Sequence, residues 1–191
     1  IRCWLRLVPV AAAFGVGIAV AATVPGQPEG EPEMLVSGQP GPQHAELVEL
    51  VGEYTTASKL VLMEGADEIE SAGMAKVSAI VDGRFIAIDE RGTLLGNQFT
   101  SQKIWGYNRE AGKYESTWLY SGMTAMTVLT GKSIADGKSV KLEGAYDSGE
   151  GRERYAVEFT RAGTTGFTIV QTVIELGGST GARIETVYTR K

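Results

Sequence analysis

Apolar and polar residues alternate with a period of two from about Gly52 onward, which is typical of β-strands that bury one face. Tyr155, Val157 and Phe159, for example, occupy every second position, and Arg154 and Glu158 fall between or beside them. Runs of this kind predict ten strands. Their expected ranges are about 53–63, 68–80, 84–90, 97–108, 113–120, 124–134, 138–147, 152–161, 165–176 and 182–190.

Glycine-containing turn signals separate these runs at intervals of about 10 to 15 residues, as in a meander or a barrel. Arg91-Gly92 is one of them, and Asp136-Gly137 is the clearest two-residue hairpin. A series of hairpins leaves two unpaired edges unless the sheet closes on itself. The pattern therefore predicts an all-β fold, an antiparallel up-and-down β-barrel of about ten strands, with a β-sandwich as the alternative.

At the start of this domain, the spacing of the apolar residues is that of a helix, and it changes to that of a strand after position 52. In the segment 44–51, Ala45, Leu47, Val48 and Val51 are spaced as on one face of a helix, and a glycine follows at position 52. This predicts a short helix before the first strand. His44, the only histidine of the chain, stands at its start, where packing or capping is the expected role.

Residues 1–21 have the features of a signal peptide. Arg2 and Arg6 precede an uncharged stretch from Leu7 to Ala22, and Ala19-Val20-Ala21 is a small-x-small cleavage pattern. We therefore expect an exported protein, periplasmic or secreted. The alternative is an uncleaved membrane anchor over residues 7–28, which would be the chain's one attachment to a membrane.

A linker is predicted between the signal peptide and the domain. Five of the six prolines lie in residues 22–43, with several glycines and few apolar residues. Such a composition buries too little surface to become ordered. No proline follows Pro42, so we place the barrel domain at 44–191.

Charge and cysteine content exclude several classes of function. The net charge is −5, and without residues 1–21 it becomes −7, with 16 basic and 23 acidic residues. We therefore expect no nucleic-acid partner. The single cysteine, Cys3, lies in the predicted signal peptide, so the mature chain has no disulfide, no cysteine-ligated zinc and no cysteine nucleophile. No metal site, cofactor or catalytic motif is recognised, which leaves an enzymatic role open.

Several short stretches, in a fixed order, point to a known family. They are His44-Ala45-Glu46-Leu47, Leu50-Val51-Gly52-Glu53-Tyr54, Asp82-Gly83-Arg84-Phe85, Gly96-Asn97-Gln98-Phe99, Gly106-Tyr107-Asn108, Tyr114 with Ser116-Thr117-Trp118, and Tyr188-Thr189-Arg190. Over residues 44–191 the chain thereby resembles the bacterial family called domain of unknown function 1579. The resemblance implies a lipocalin-like barrel and no assigned activity. The chain departs from the family at Tyr54, which stands in place of a tryptophan, at Asp82, in place of a glycine, and near Tyr120, where the family has an aspartate.

Two neighbouring predicted strands each carry a row of aromatic residues on one face. The first row is Phe99, Ser101, Lys103, Trp105 and Tyr107, and the second is Tyr114, Ser116, Trp118 and Tyr120. If both rows face inward, they form an aromatic cavity in which Lys103 is available to a ligand carboxylate. The alternative is that these aromatic side chains simply fill the core.

The function that we predict is the binding of a small hydrophobic or aromatic ligand inside the barrel. The predicted ligand-binding residues are Arg84, Phe99, Lys103, Trp105, Tyr107, Trp118 and Tyr120. Arg84 would meet an anionic group at the barrel mouth, or else form a structural ion pair, and Arg190 is expected to pair with an acid such as Glu53. An envelope protein-interaction module and a hydrolase or isomerase with an interior site remain the alternatives.

Overall fold

A computed structural model of the chain describes residues 38–134, 138–148, 151–175 and 181–191. One helix is followed by ten strands. They are α1 (Pro42–Val48), β1 (Gly52–Val61), β2 (Ile69–Ile80), β3 (Phe85–Leu94), β4 (Asn97–Asn108), β5 (Lys113–Tyr120), β6 (Thr127–Ser133), β7 (Ser139–Ser148), β8 (Gly151–Ala162), β9 (Gly166–Glu175) and β10 (Arg183–Arg190).

The sheet closes on itself. Each strand pairs antiparallel with the next one along the chain, and β10 returns to pair with β1 from Tyr54–Arg190 to Val61–Arg183. The prediction of an up-and-down barrel is therefore confirmed, and the sandwich alternative is not formed. Closure leaves no long unpaired edge, which removes the risk of edge-to-edge association.

The predicted turn at Arg91-Gly92 is wrong, because β3 continues to Leu94 and the chain reverses at Leu95-Gly96. Gly92 pairs with Phe99 on β4. A Cβ atom at Gly92 would lie 2.9 Å from the Phe99 ring, so this glycine leaves space for an aromatic side chain inside a strand. The predicted hairpin at Asp136-Gly137 lies outside the described residues.

The helix lies earlier than the predicted range 44–51. It begins at Pro42, whose missing N–H is not needed in the first turn, and two i to i+3 hydrogen bonds, to the carbonyls of Leu47 and Val48, follow its end. His44 is buried, and its Nδ1 accepts a hydrogen bond from the backbone N–H of Gly41 at 2.9 Å. The capping and packing role predicted for His44 is thus confirmed.

The segment after α1 is fastened to one end of the barrel. Arg190 donates hydrogen bonds to the carbonyls of Glu49 at 2.7 Å and Val51 at 2.8 Å, so its predicted pairing with Glu53 is wrong. The last carbonyls of a helix have no partner inside it, and a guanidinium satisfies them well. Glu53 instead lies 4.0 Å from Lys191.

The half of the interior next to α1, which we call the closed half, is filled by side chains. Its largest buried residues are Leu47, Leu50, Tyr54, Trp105, Tyr114, Phe159 and Phe167. The rings meet at short range: the centroids of Tyr54 and Phe167 are 5.2 Å apart, and those of Trp105 and Phe159 are 5.6 Å apart. This half is therefore a packed core, in which the space of about 30 Å³ beside Trp105 is too small for a ligand; a groove of about 370 Å³ that is more open to solvent lies beside Leu50 and Tyr54.

The predicted signal peptide and most of the predicted linker lie outside the described residues, and both stay predictions. The helix begins at Pro42, two residues before the predicted start of the domain at residue 44. Within the described ranges, no helix has the length and apolar character needed to cross a bilayer.

Candidate functional site

The register between β4 and β5 brings the two aromatic rows side by side, as the sequence predicts. Ser101 pairs with Tyr120, Lys103 with Trp118, Trp105 with Ser116, and Tyr107 with Tyr114. Trp105, Ser101, Ser116 and Tyr114 are all buried, which shows that this face points into the barrel. The rows extend from the closed half into the half farther from α1, which we call the open half.

The open half contains a cavity of about 170 Å³. Residues from β1 to β5, β9 and β10 form its wall. They are Ser58, Leu60, Ser71, Glu90, Leu94, Phe99, Ser101, Lys103, Trp118, Tyr120, Ile169, Gln171, Ile184, Thr186 and Tyr188. The lining combines the aromatic row on β4 and β5 with small side chains, Ser58 on β1 and Ser71 on β2.

One wall of the cavity is aromatic. The rings of Trp118 and Tyr120 are stacked with centroids 5.7 Å apart and an angle of 28° between their planes, and Phe99 lies 5.9 Å from Tyr120. On its other side, Trp118 makes an edge contact with Tyr155 at 6.1 Å. Such a wall offers a flat apolar surface to a ring-shaped ligand.

One part of the cavity wall, which we call the floor, is polar and centres on Glu90. Lys103 Nζ lies 2.9 Å from Glu90 Oε2, and the hydroxyls of Tyr188 and Ser101 donate to the same oxygen at 3.1 and 3.3 Å. The side chains of Lys103 and Glu90 are only 11% and 5% exposed. Lys103 was expected to be available to a ligand carboxylate, but its charge is already paired with Glu90.

Burial and hydrogen bonding shift the pKa of the Glu90 carboxyl in opposite directions. Burial alone would raise the pKa of its carboxyl, but the Lys103 charge and the hydrogen bonds from Lys103, Tyr188 and Ser101 outweigh it and leave the pKa lowered. Tyr188 shows the converse, since burial and the adjacent carboxylate raise the pKa of its phenol well above the usual value. At neutral pH the Glu90 carboxyl is therefore ionised and the Tyr188 phenol is protonated.

A second buried carboxylate, Glu153, lies beside the aromatic wall, and the sequence analysis did not single it out. Tyr146 donates to Glu153 Oε2 at 2.6 Å and Tyr155 donates to the same oxygen at 2.9 Å. The two rings are stacked with centroids 5.6 Å apart. Burial is the main cause of the raised pKa of both phenols, so each remains a donor at neutral pH.

Three of the predicted ligand-binding residues lie away from this cavity. Trp105 packs into the closed half against Phe159, and Tyr107 contacts His44 and Tyr114 near α1. Arg84 is on the β2–β3 connection, where its Nε donates to the carbonyl of Gly38 at 3.0 Å. Ligand contacts by Trp105, Tyr107 and Arg84 stay predictions from sequence, and the four that line the cavity are Phe99, Lys103, Trp118 and Tyr120.

Two other possibilities, a second groove and a metal site, are weaker candidates for a functional site than the interior cavity. A groove of about 600 Å³ lies between β3 to β5 and the connection that holds Met123 and Met126, and it shares Glu90, Ser101 and Tyr120 with the interior cavity. It is open to solvent, so it would cover less of a small molecule than the interior cavity does. Among the described residues, no three side chains of His, Cys, Asp or Glu are grouped as metal ligands.

Ten closed strands with a half-filled interior define an up-and-down β-barrel protein with an internal cavity. Within that class, the chain belongs to the family described as protein of unknown function (DUF1579), whose model matches residues 39–190. This confirms the resemblance found in the sequence motifs. No match was found among curated proteins.

Among solved structures, the barrel is similar to the S-type phycobiliprotein lyase CPES from Guillardia theta. The TM-score is 0.57 at 11% sequence identity, over 82% of this chain and 96% of the lyase chain. A redesigned β-barrel, mFAP1, bound to DFHBI, aligns with a TM-score of 0.39 at 14% identity, over 75% of this chain and 97% of that chain. The likeness to the lyase is one of fold, and the lower score of the second comparison carries no argument.

Proposed function

We propose that this protein binds a small, partly apolar ligand in the open half of its barrel. The observation that carries the proposal is the contrast between the two halves, one solid and one with a cavity of about 170 Å³. In another protein, an apolar cavity of about 150 Å³ holds benzene. A molecule with one aromatic ring would therefore fit, with its face against Trp118 and Tyr120 and its polar end toward Lys103 and Glu90.

The polar cluster favours binding over proton transfer. A general acid or base works best when its pKa is near the operating pH. The pKa of Glu90 is lowered and that of Tyr188 is raised well above 10, so both are moved away from neutrality. The likeness to the phycobiliprotein lyase supports the barrel fold. At 11% identity it gives no evidence about the reaction or the ligand of this chain.

Filling the cavity from β2 is expected to abolish ligand binding. Ser71 lines the cavity, and within the described part of the chain its hydroxyl makes no hydrogen bond that a substitution would remove. The Ser71→Phe variant should keep or raise the urea midpoint, because it fills a void, and should lose binding of toluene, phenol and benzoate measured by calorimetry.

The matched control is Ala72→Phe, at the neighbouring position on the outer face of the same strand, where the side chain is exposed. It should bind the same probes as the unmodified chain does. The proposal fails if the unmodified chain binds none of the three probes at millimolar concentration, or if Ser71→Phe binds them as well as Ala72→Phe does.

Export is a separate proposal, and the signal-like residues 1–21 support it. Expression of the chain with an initiating methionine in a bacterial host should yield a periplasmic product that begins at Ala22. Intact mass measurement checks this. A product that retains residues 1–21 and sediments with membranes would instead support the anchor over residues 7–28.

A further inference from the structure

The polar floor of the cavity leaves one hydrogen-bond acceptor without a partner. Lys103, Ser101 and Tyr188 all bond to Glu90 Oε2. Among the described residues, none donates a hydrogen bond to Glu90 Oε1. Nor is Oε1 among the fully enclosed, unpaired polar atoms of the described residues, so it remains in contact with open space.

The donors around this oxygen are already engaged. Lys103 Nζ lies 2.9 Å from Glu90 Oε2, 3.4 Å from Ser101 Oγ and 3.5 Å from the Tyr188 hydroxyl, which accounts for its three hydrogens. The Tyr188 and Ser101 hydroxyl hydrogens also point to Glu90. At the Glu90 carboxylate itself, a ligand that only accepts hydrogen bonds therefore meets no available hydrogen, whereas a ligand that donates one finds Oε1.

The charges of the floor cancel one another. Glu90 and Lys103 are the only charged residues among the described residues that line the cavity, and they form an ion pair. A ligand anion would be placed near the Glu90 carboxylate with no unpaired cation to stabilise it, and a ligand cation would be placed near the Lys103 ammonium. Moving a charged ligand from water into this space carries a desolvation penalty that neither charge offsets.

We infer that the cavity selects a neutral aromatic ligand whose O–H or N–H group donates a hydrogen bond to Glu90 Oε1. This inference rests on the proposed function and narrows it to one chemical class of ligand. The ring lies against Trp118 and Tyr120, and the donor group reaches the floor, as in a phenol or an indole. The donor group is the feature that distinguishes such a ligand from apolar molecules of the same size.

Four single-ring probes of similar size test the inference on the unmodified full chain by calorimetry at pH 7. Phenol is neutral and donates a hydrogen bond, anisole is neutral and does not, benzoate is an anion, and benzylamine is a cation at this pH. Phenol should bind about ten-fold or more tightly than each of the other three, the effect expected for a hydrogen bond to a charged acceptor.

Two variants distinguish the effect of the hydrogen bond to Glu90 from the effect of the charges on Glu90 and Lys103. In Glu90→Gln the Lys103 ammonium loses its counter-charge, so benzoate should bind more tightly than it does to the unmodified chain. Phenol should keep only part of its advantage over anisole, because the amide oxygen is a weaker acceptor than a carboxylate. In the double variant Glu90→Gln/Lys103→Met the floor carries no charge. There, the advantage of phenol over anisole should again be reduced, and benzoate should gain nothing.

The outcomes distinguish the inference from the function on which it rests. Equal binding of phenol and anisole would contradict the donor requirement, and benzoate or benzylamine binding at least as tightly as phenol would contradict the selection of a neutral ligand. In each of these cases a small ligand still binds, so the proposed function stands. Binding of no probe at millimolar concentration would overturn both.

Discussion

Replacing Lys103 with methionine is expected to lower the free energy of unfolding by about 3–5 kcal/mol, the loss typical when one partner of a buried ion pair is removed. The substitution keeps an unbranched side chain of similar length but leaves the Glu90 carboxylate, 5% exposed, without its counter-charge. Urea unfolding at pH 7, followed by tryptophan fluorescence, measures the change.

The double variant Lys103→Met/Glu90→Leu is the control, because it removes both charges and retains apolar volume. It should recover most of the lost stability, since a buried ion pair replaced by apolar side chains is often neutral in its effect. A loss below about 1 kcal/mol in the single variant would contradict the buried pair, because exposed pairs contribute that little.

The ion pair of Glu90 and Lys103 should also make the stability of the protein depend on pH. In the unmodified protein the pKa of Glu90 is lowered, so its contribution to stability is present above the usual glutamate value near 4.5 and is lost as the pH falls below it. In Lys103→Met, burial acts without the opposing charge and raises the pKa above the unfolded value. The free energy of unfolding of Lys103→Met should therefore rise as the pH falls from 7 toward 4. The difference in this free energy between the variant and the unmodified protein should shrink over the same range.

Phe167→Ala is expected to destabilise the barrel by about 3–5 kcal/mol, which is the usual cost of removing a fully buried phenylalanine side chain. Phe167 is 1% exposed, and its ring stacks on Tyr188 with centroids 4.3 Å apart and meets Phe159 at 5.3 Å. It belongs to the closed half, where it also meets the Tyr54 ring at 5.2 Å, so its removal would leave a cavity among packed rings. Urea unfolding provides the measurement.

Phe99→Ala is the matched substitution in the open half. Phe99 is only partly buried and lines the cavity, so we expect a loss of about 1 kcal/mol, in the range of ordinary substitutions, together with weaker probe binding. A similar loss of stability in both variants would contradict the description of one half as solid and the other as hollow.

The strands could be predicted because alternation and turn residues are local features of sequence. Errors arose where a distant residue decides the outcome. Arg91-Gly92 has the composition of a turn, but Gly92 lies in a strand, where the lack of a side chain leaves space for the Phe99 ring. Arg190 was expected to pair with a side chain, yet the carbonyls after α1 lie nearer to it once the barrel has closed.

The candidate site could be predicted in part. Adjacent antiparallel strands were expected to align the aromatic rows, and they do. The division of these rows between a solid half and a hollow half depends on which side chains meet across the barrel, which one strand does not reveal. Glu90 was missed because it ends the predicted strand 84–90, although its alternation with Ile86 and Ile88 was a signal that it faces inward.

The most direct test of the account uses the indole N–H signals of Trp105 and Trp118. Both Nε1 atoms are buried and have no hydrogen-bond partner within the described ranges, and only Trp118 lines the cavity. In ¹⁵N–¹H spectra of the full chain, assigned by single Trp→Phe substitutions, phenol added to millimolar concentration should shift the Trp118 signal and leave that of Trp105 in place. Two unmoved signals, or a Trp105 shift as large as that of Trp118, would contradict a ligand site in the open half.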